Sequence, residues 1–314
     1  MEFLTDLSQM SDLVSSSLRL GTPIAFAALG GVLAERSGTY NIGLEGMILA
    51  GAFGAAAGSY ATGSATVGLL CGVLCGLIGG TVLSVLSIRY RVNQLVAGIA
   101  LNLVLAGMTA FLARLVFGDG AGGTQVKGFS AISIPVLEEI PFFGPVLFNQ
   151  DPLIYLLFGI SIFGSWWLFS TNRGRELRAV GENPRAADAA GVPVFAIRYT
   201  ALIVSCGLAA LGGSHLVLSQ VYLFSEDMSS GKGFIALAAV ILGRWSPVGA
   251  LSAALFFGFC DALQLRLQFS SPEIPYQIFL ILPYVASLVA LVWFVGLVRA
   301  PASVGAPYDR EDRG

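Results

Sequence analysis

Apolar runs of about twenty residues alternate with short polar breaks along the chain, and runs of that length can cross a hydrocarbon layer roughly 30 Å thick as helices. They lie near Val14–Leu33, Leu44–Thr62, Thr66–Ile88, Gln94–Val116 and Pro152–Ser170 in the first half of the chain. Four more lie near Phe195–Leu218, Gly233–Leu242, Val248–Leu265 and Tyr276–Val298. The Gly233–Leu242 run is too short to span alone, so it is read as a half-helix, a broken segment, or part of a helix extended from Met228 to Trp245. The pattern predicts an all-α membrane protein with about nine transmembrane segments, within a range of eight to ten.

One polar stretch interrupts this alternation. Asn172 to Pro193, NRGRELRAVGENPRAADAAGVP, interleaves Arg173, Arg175, Arg178 and Arg185 with Glu176, Glu182 and Asp188. The small residues Ala186, Ala187, Ala189 and Ala190 suit a short helix packed closely on a partner. The bland alternative is a solvated loop.

Composition agrees with a polytopic chain: 55% of residues are hydrophobic, 11% are charged, and mean hydropathy is +0.79. Placing the Asn172 stretch inside puts twelve of the 17 Lys and Arg residues on the cytoplasmic side. Arg19, Arg114, Lys127, Lys232 and Arg266 remain outside or near the outer boundary. The N-terminus is then expected outside and the C-terminus in the cytoplasm. The opening MEFLTDLSQM has no basic n-region and no cleavage site, so it does not read as a signal peptide. The expected surroundings are the lipid bilayer of a plasma membrane, crossed many times, with no nucleic-acid partner.

Two internal patterns organise the chain. Gly72, Gly76 and Gly80 form a small-residue ridge, read first as an internal packing seam and second as a dimer seam. The string AALGG occurs at Ala27–Gly31 and again at Ala209–Gly213, and GLEGMILAGAFG from Gly43 resembles GKGFIALAAVILG from Gly231. Five crossings separate each segment from its counterpart, so the second copy is inverted, with candidate broken helices at Ser37–Glu45 and Glu226–Gly233. The expected organisation is a single transmembrane domain over residues 1–314. Its parts are a first repeat over about 11–118, a connector 119–171, a coupling loop 172–193, a second repeat over about 194–299 and a cytoplasmic tail 300–314.

Several chemistries are excluded. Cys71, Cys75, Cys206 and Cys260 all fall in apolar runs with no histidine set nearby, so no metal site is expected. There is no G-x-x-x-x-G-K-[ST] loop, and Ser230-Gly231-Lys232-Gly233 lacks its leading glycine and hydroxyl. Adjacent Ser214 and His215 diverge by about 100° on a helix and cannot act as nucleophile and base. No catalytic residue is expected. Buried carboxylates are limited to Asp261 and Glu45, which makes an ion-coupled secondary carrier the weaker transport reading.

The run GGVLAERSGTYNIGLEGMILAGAF, with Glu35, Arg36, Ser37, Gly38, Asn41, Gly43, Glu45 and Gly46, resembles the signature of nucleoside and simple-sugar ABC importer permeases. RAVGENPRAADAAGV resembles their cytoplasmic coupling segment, matching at Gly181, Asn183, Ala186, Ala187 and Gly191. The resemblance covers nearly the whole chain. Only ten residues precede Ser11, so relative to ribose-type permeases a first membrane helix is expected to be missing, which fits the shorter of two unequal permeases. The resemblance implies a cytoplasmic ABC ATPase that binds ATP and Mg, a longer paralogous permease as heterodimer partner, and an extracellular substrate-binding protein or lipoprotein. This chain itself would hold no cofactor. The implied function is ATP-driven import of nucleosides, with simple sugars such as ribose or galactose as the alternative.

Within that role, Arg175, Glu176, Arg178 and Glu182 would orient the coupling segment through surface ion pairs. Bulky replacements at Gly181 or Gly191 are expected to uncouple ATP hydrolysis from uptake while assembly survives. Candidates for the translocation pathway are the polar residues inside or beside spans: Asn41, Glu45, Gln94, Asn102 and His215. Each has a structural alternative. Glu45 in a first helical turn can cap that turn, Asn102 can bond across helices, Gln94 can anchor an interface, and a lone histidine is commonly a satisfied packing residue.

Overall fold

A computed structural model describes residues 7–118, 124–133, 140, 142–270 and 300–309, with scattered positions between 277 and 292. The long helices are α1 (Leu7–Arg36), α2 (Leu44–Thr62), α3 (Ala65–Ser84), α4 (Gln94–Phe117), α5 (Pro152–Ser170), α8 (Val194–His215) and α10 (Pro247–Ser270). Three short helices accompany them: α6 (Asn172–Glu182), α7 (Pro184–Ala189) and α9 (Lys232–Leu242). Among the described residues six helices, namely α1, α3, α4, α5, α8 and α10, are long and apolar enough to cross a membrane. α2 has 19 residues but is rich in Gly and Ala, and its neighbours bury most of it.

Local signals place the helix ends. The Asn93 side chain accepts from the amides of Leu95 and Val96 to start α4, and Asp151 accepts from Leu153 to start α5, with Pro152 in its first turn. Gly63, at φ +66°, closes α2 in the left-handed region. The ends of α3 and α8 each widen into a π turn, Val85–Arg89 and Leu216–Val221.

The structure refines three expectations, and a fourth falls outside the described residues. The described chain is mostly helical, as expected, with one addition: β1 (Ile132–Ser133) and β2 (Asn149–Gln150) form a short two-stranded antiparallel ladder in the long connector. The polar stretch forms two helices, α6 and α7. Pro184 cannot donate to an α6 hydrogen bond, and the Asn183 side chain accepts from Ala186 N–H to begin a second helix. α9 is the half-helix, beginning at Lys232 and ending at Leu242, with no extension to Met228 or Trp245. The predicted Tyr276–Val298 span lies outside the described residues, apart from scattered positions.

Packing centres on α1, α2 and α8. The glycine ridge of α3 is an internal seam: Gly72 meets Ser214 and Gly51, Gly76 meets Ala210 and Cys206, and Gly80 meets Cys206 and Ile203. Cys71 and Cys75 pack on Gly54 and Gly58 of α2. The contacts between the halves are reciprocal. Gly30 of α1 lies on the backbone of Ser205 in α8, and Gly212 of α8 lies on the backbone of Pro23 in α1; one sequence offset relates both pairs. Likewise Gly31 faces Val240 of α9, while Gly213 faces Ile48 and Ala52 of α2.

Candidate functional site

Two places gather the residues singled out in the sequence. The first is a central junction where α2 and α9 begin. Glu45 sits in the first turn of α2, but its carboxylate turns to the other half. One oxygen accepts from the Ser229 hydroxyl at 2.6 Å and the Gly231 amide at 2.7 Å, and the second accepts from the Gly233 amide at 2.6 Å. A carboxylate with three donors at a helix start matches both the unpaired amides and the positive end of the α9 dipole. Gly233 packs directly on the backbone of Glu45, so a side chain there would force the two helix starts apart.

Asn102 completes the junction from α4. Its amide nitrogen donates to Ile42 O at 2.9 Å, and its oxygen accepts from Gly46 N–H at 2.8 Å, which restores an amide that the first turn of α2 leaves unpaired. Gln94 Oε1 accepts from the Tyr40 amide at 2.6 Å and so ties the α1–α2 turn to α4. Asn41 is fully buried; its Nδ2 donates to Ser205 Oγ at 2.8 Å, and its Oδ1 has no hydrogen-bond partner. His215 lies away from this group. Its Nε2 is 3.1 Å from Asp151 Oδ2 and its Nδ1 is 3.3 Å from Gln220 Nε2. Burial works to raise the Asp151 pKa, but the bond and charge of His215 and the Leu153 amide outweigh it and hold the carboxyl below its usual range. The neighbouring Ser214 hydroxyl donates to Ala210 O at 2.9 Å, separate from the imidazole.

The second place is the α6–α7 pair. Arg175, Glu176, Glu182, Asn183, Ala186 and Gly191 are exposed, while Gly181 and Ala187 are buried against the body of the protein. Gly181 rests on the Arg36 carbonyl with no room for a methyl group. Arg178 stacks over Phe169 at 5.2 Å, with Arg36 over the same ring at 5.8 Å. Arg175 bonds to Asn172, and Glu182 accepts from the Ala302 amide at 3.4 Å. Gly191 takes φ +84° in open space, a backbone turn that favours glycine.

Sequence reasoning missed four participants. Glu35 is buried and accepts from Trp245 Nε1, joining the end of α1 to the turn after α9. Ser229 donates to Glu45, Arg198 is buried beneath residues 303–308, and Ser303 binds the end of α6. Glu35 stood in the signature run, and a charge there was the available signal. In the sequence Arg198 reads only as one of the twelve cations on the cytoplasmic side, and nothing local distinguishes it from the exposed arginines.

A family profile described as "branched-chain amino acid transport system / permease component" matches residues 13–296. The chain is similar to the guanosine ABC transporter permease protein NupQ of Bacillus subtilis (strain 168), 35% identical over 313 residues, covering 97% of this chain and 98% of that one. It is 33% identical over 267 residues to the putative glucose ABC transporter permease protein TsgC13 of Haloferax volcanii, covering 83% and 79%. It is 27% identical over 298 residues to the guanosine ABC transporter permease protein NupP of the same Bacillus strain, covering 91% and 84%. No solved structure matches.

Proposed function

This chain belongs to the branched-chain amino acid transport system permease family, and from that premise we propose that it is the permease subunit of an ATP-driven importer of nucleosides. The observation that carries the reading is the match to a guanosine permease along nearly the full length of both chains. The glucose permease match covers less of each chain, so sugars stand second. The protein is integral to the membrane, where its apolar helices reside.

Membership of the family implies an ABC ATPase and a substrate-binding protein as partners. We place the ATPase at α6–α7, where Arg175, Glu176, Glu182, Asn183, Ala186 and Gly191 form the presented face. Arg178, Gly181 and Ala187 seat that face on the body. ATP and Mg bind in the partner, and this chain carries no catalytic step. A longer paralogous permease completes a heterodimer. In support, two relatives from one Bacillus strain share the guanosine permease name, and alignment over 298 residues covers only 84% of the second.

The architecture proposed is about nine spans in an inverted repeat, with the N-terminus outside and the C-terminus in the cytoplasm. The reciprocal glycine contacts of Gly30 with Ser205 and Gly212 with Pro23 support the repeat, as does the meeting of α2 and α9 at their starts. Positive-inside charge supports the orientation. For the pathway, Asn41 is favoured over Glu45, Gln94, Asn102 and His215, because its Oδ1 retains unused accepting capacity while each of the others has structural partners.

The test is uptake of radiolabelled uridine and ribose into ATP-loaded proteoliposomes containing this chain with its co-purifying subunits. ATP-dependent uridine uptake is expected. ATP-dependent ribose uptake without uridine would move the substrate to sugars, and uptake that follows an ion gradient without ATP would replace the mechanism with a secondary carrier.

A further inference from the structure

The C-terminal segment Pro301–Asp309 lies across the α6–α7 pair, and its contacts reach both halves of the chain. The last carbonyls of any helix lack partners within it. For α6 those partners come from Ser303: its amide donates to Gly181 O at 2.9 Å, and its hydroxyl reaches Gly181 O at 2.7 Å and Val180 O at 3.2 Å. Tyr308 is buried in a small apolar cluster with Val180, Ala187 and Val194, which takes in the undersides of α6 and α7 and the start of α8. Its ring lies 5.4 Å from that of Phe195.

Arg198 of α8 makes the segment hard to dispense with. It is 2% exposed. Its guanidinium donates to Ala306 O at 3.0 Å and Ser303 Oγ at 3.4 Å and sits 5.9 Å over the Tyr308 ring. These partners all belong to the segment, so lifting it away would leave a buried cation without its hydrogen bonds.

The other edge of the segment reaches the first half. The Gly305 amide donates to Gly38 O at 3.3 Å, and Asp309 pairs with Arg91 in the α3–α4 connection. Gly38, at φ +84°, lies against Ser303, Arg198 and Gly181 at once. Gly38 opens the turn that leads through Asn41 into α2 and the Glu45 junction.

We propose that residues 301–309 are a coupling strap, in which Ser303, Tyr308 and Arg198 are positioning residues that join α6–α7 to the Gly38 turn. Displacement of α6–α7 by the ATPase is then delivered to the start of α2, and from there to α9 through Glu45. The assignment rests on the reading of α6–α7 as the ATPase docking element.

The experiment uses the full chain with its co-purified subunits in proteoliposomes and reads uridine taken up per ATP hydrolysed. Ser303→Ala and Tyr308→Ala should leave the subunits assembled and the partner hydrolysing ATP, while uptake per ATP falls roughly tenfold. Ser303→Thr, which keeps the hydroxyl, should restore it. A second variant, Arg91→Cys with Asp309→Cys, ties the strap to the first half when the two thiols are bridged by a short bis-maleimide, which spans the gap that the arginine side chain fills. Bridging should leave uptake intact in an otherwise wild-type chain and recover coupling in the Ser303→Ala background. Unchanged uptake per ATP in both alanine variants overturns the strap, as does arrest of uptake on bridging of the cysteine pair. If the alanine variants fail to assemble, the cysteine pair decides between the same two outcomes. Loss of ATP-driven uptake in the wild-type complex would remove the importer reading itself, whereas a coupled wild type with coupled variants removes only the strap.

Discussion

Glu45 and Asn102 serve backbone amides at the starts of helices, and their energetic weight comes from where those amides lie. The Glu45 carboxylate accepts three donors from the segment entering α9, and charge-assisted hydrogen bonds to buried amides are among the stronger polar interactions in a protein. Glu45→Gln keeps the shape but replaces one acceptor oxygen with a donor that faces other donors. A loss of about 1.5–3 kcal/mol is expected, read as a lower thermal midpoint of the purified subunit complex. A midpoint equal to wild type would show that the junction is not held by this carboxylate. Asn41 differs from these two because its Oδ1 is buried without a partner. Such an atom carries a desolvation cost that a bound polar ligand or a water could relieve.

Among the helices, α6 and α7 show how one glycine can differ from another in the same segment. Gly181 packs on the Arg36 carbonyl, so Gly181→Leu drives backbone from backbone and should abolish recovery of the assembled complex. This departs from the sequence-based expectation that assembly survives at both glycines. Gly191 has open space but a left-handed backbone, so Gly191→Ala should cost only about 1 kcal/mol of strain, with normal assembly on size-exclusion chromatography. Assembly of Gly181→Leu at wild-type yield would contradict the packing argument. α3 belongs to the same scale, since its glycine ridge had an internal and a dimeric reading and only the position of α8 separates them. The two short helices were half legible. The capping side chains Thr171 and Asn183 are local signals, but the break between α6 and α7 follows from Pro184, which the small-residue reading of 186–190 passed over.

For the whole molecule, the α6–α7 pair and the strap occupy the end that carries Arg36, Arg91 and Arg244, whereas the Lys127 and Ser130 connector meets the far end of α2 through Ser59. The proposed sidedness predicts that a membrane-impermeant maleimide added to intact cells labels Ser130→Cys and leaves Ala186→Cys unlabelled until the cells are opened. Both positions are exposed, and the native cysteines are partly or fully buried. The reverse pattern would invert the topology and take ATPase docking away from α6–α7. Among the described residues, six helices are long and apolar enough to cross a membrane, and the apolar pattern marked these and α2 alike. α2 and α9 are broken or Gly-rich, and their place at the centre depends on contacts with helices far away in sequence.

Taken by itself, the sequence determined what short-range physics records. Runs of apolar residues set the spans, Gly63 and Asn93 set helix ends, Pro152 and Pro184 set starts, and one hydrophilic stretch set the place of the surface helices. Those signals depend on neighbours within a few positions along the chain. Tertiary structure alone decided that Glu45 caps the helix of the other half, that Gly181 faces inward, and that a buried Arg198 holds residues 303–308. A carboxylate, a glycine or an arginine has the same local pattern whichever partner it meets. The partner is chosen when distant helices pack and every buried polar group must find a donor or acceptor within about 3 Å.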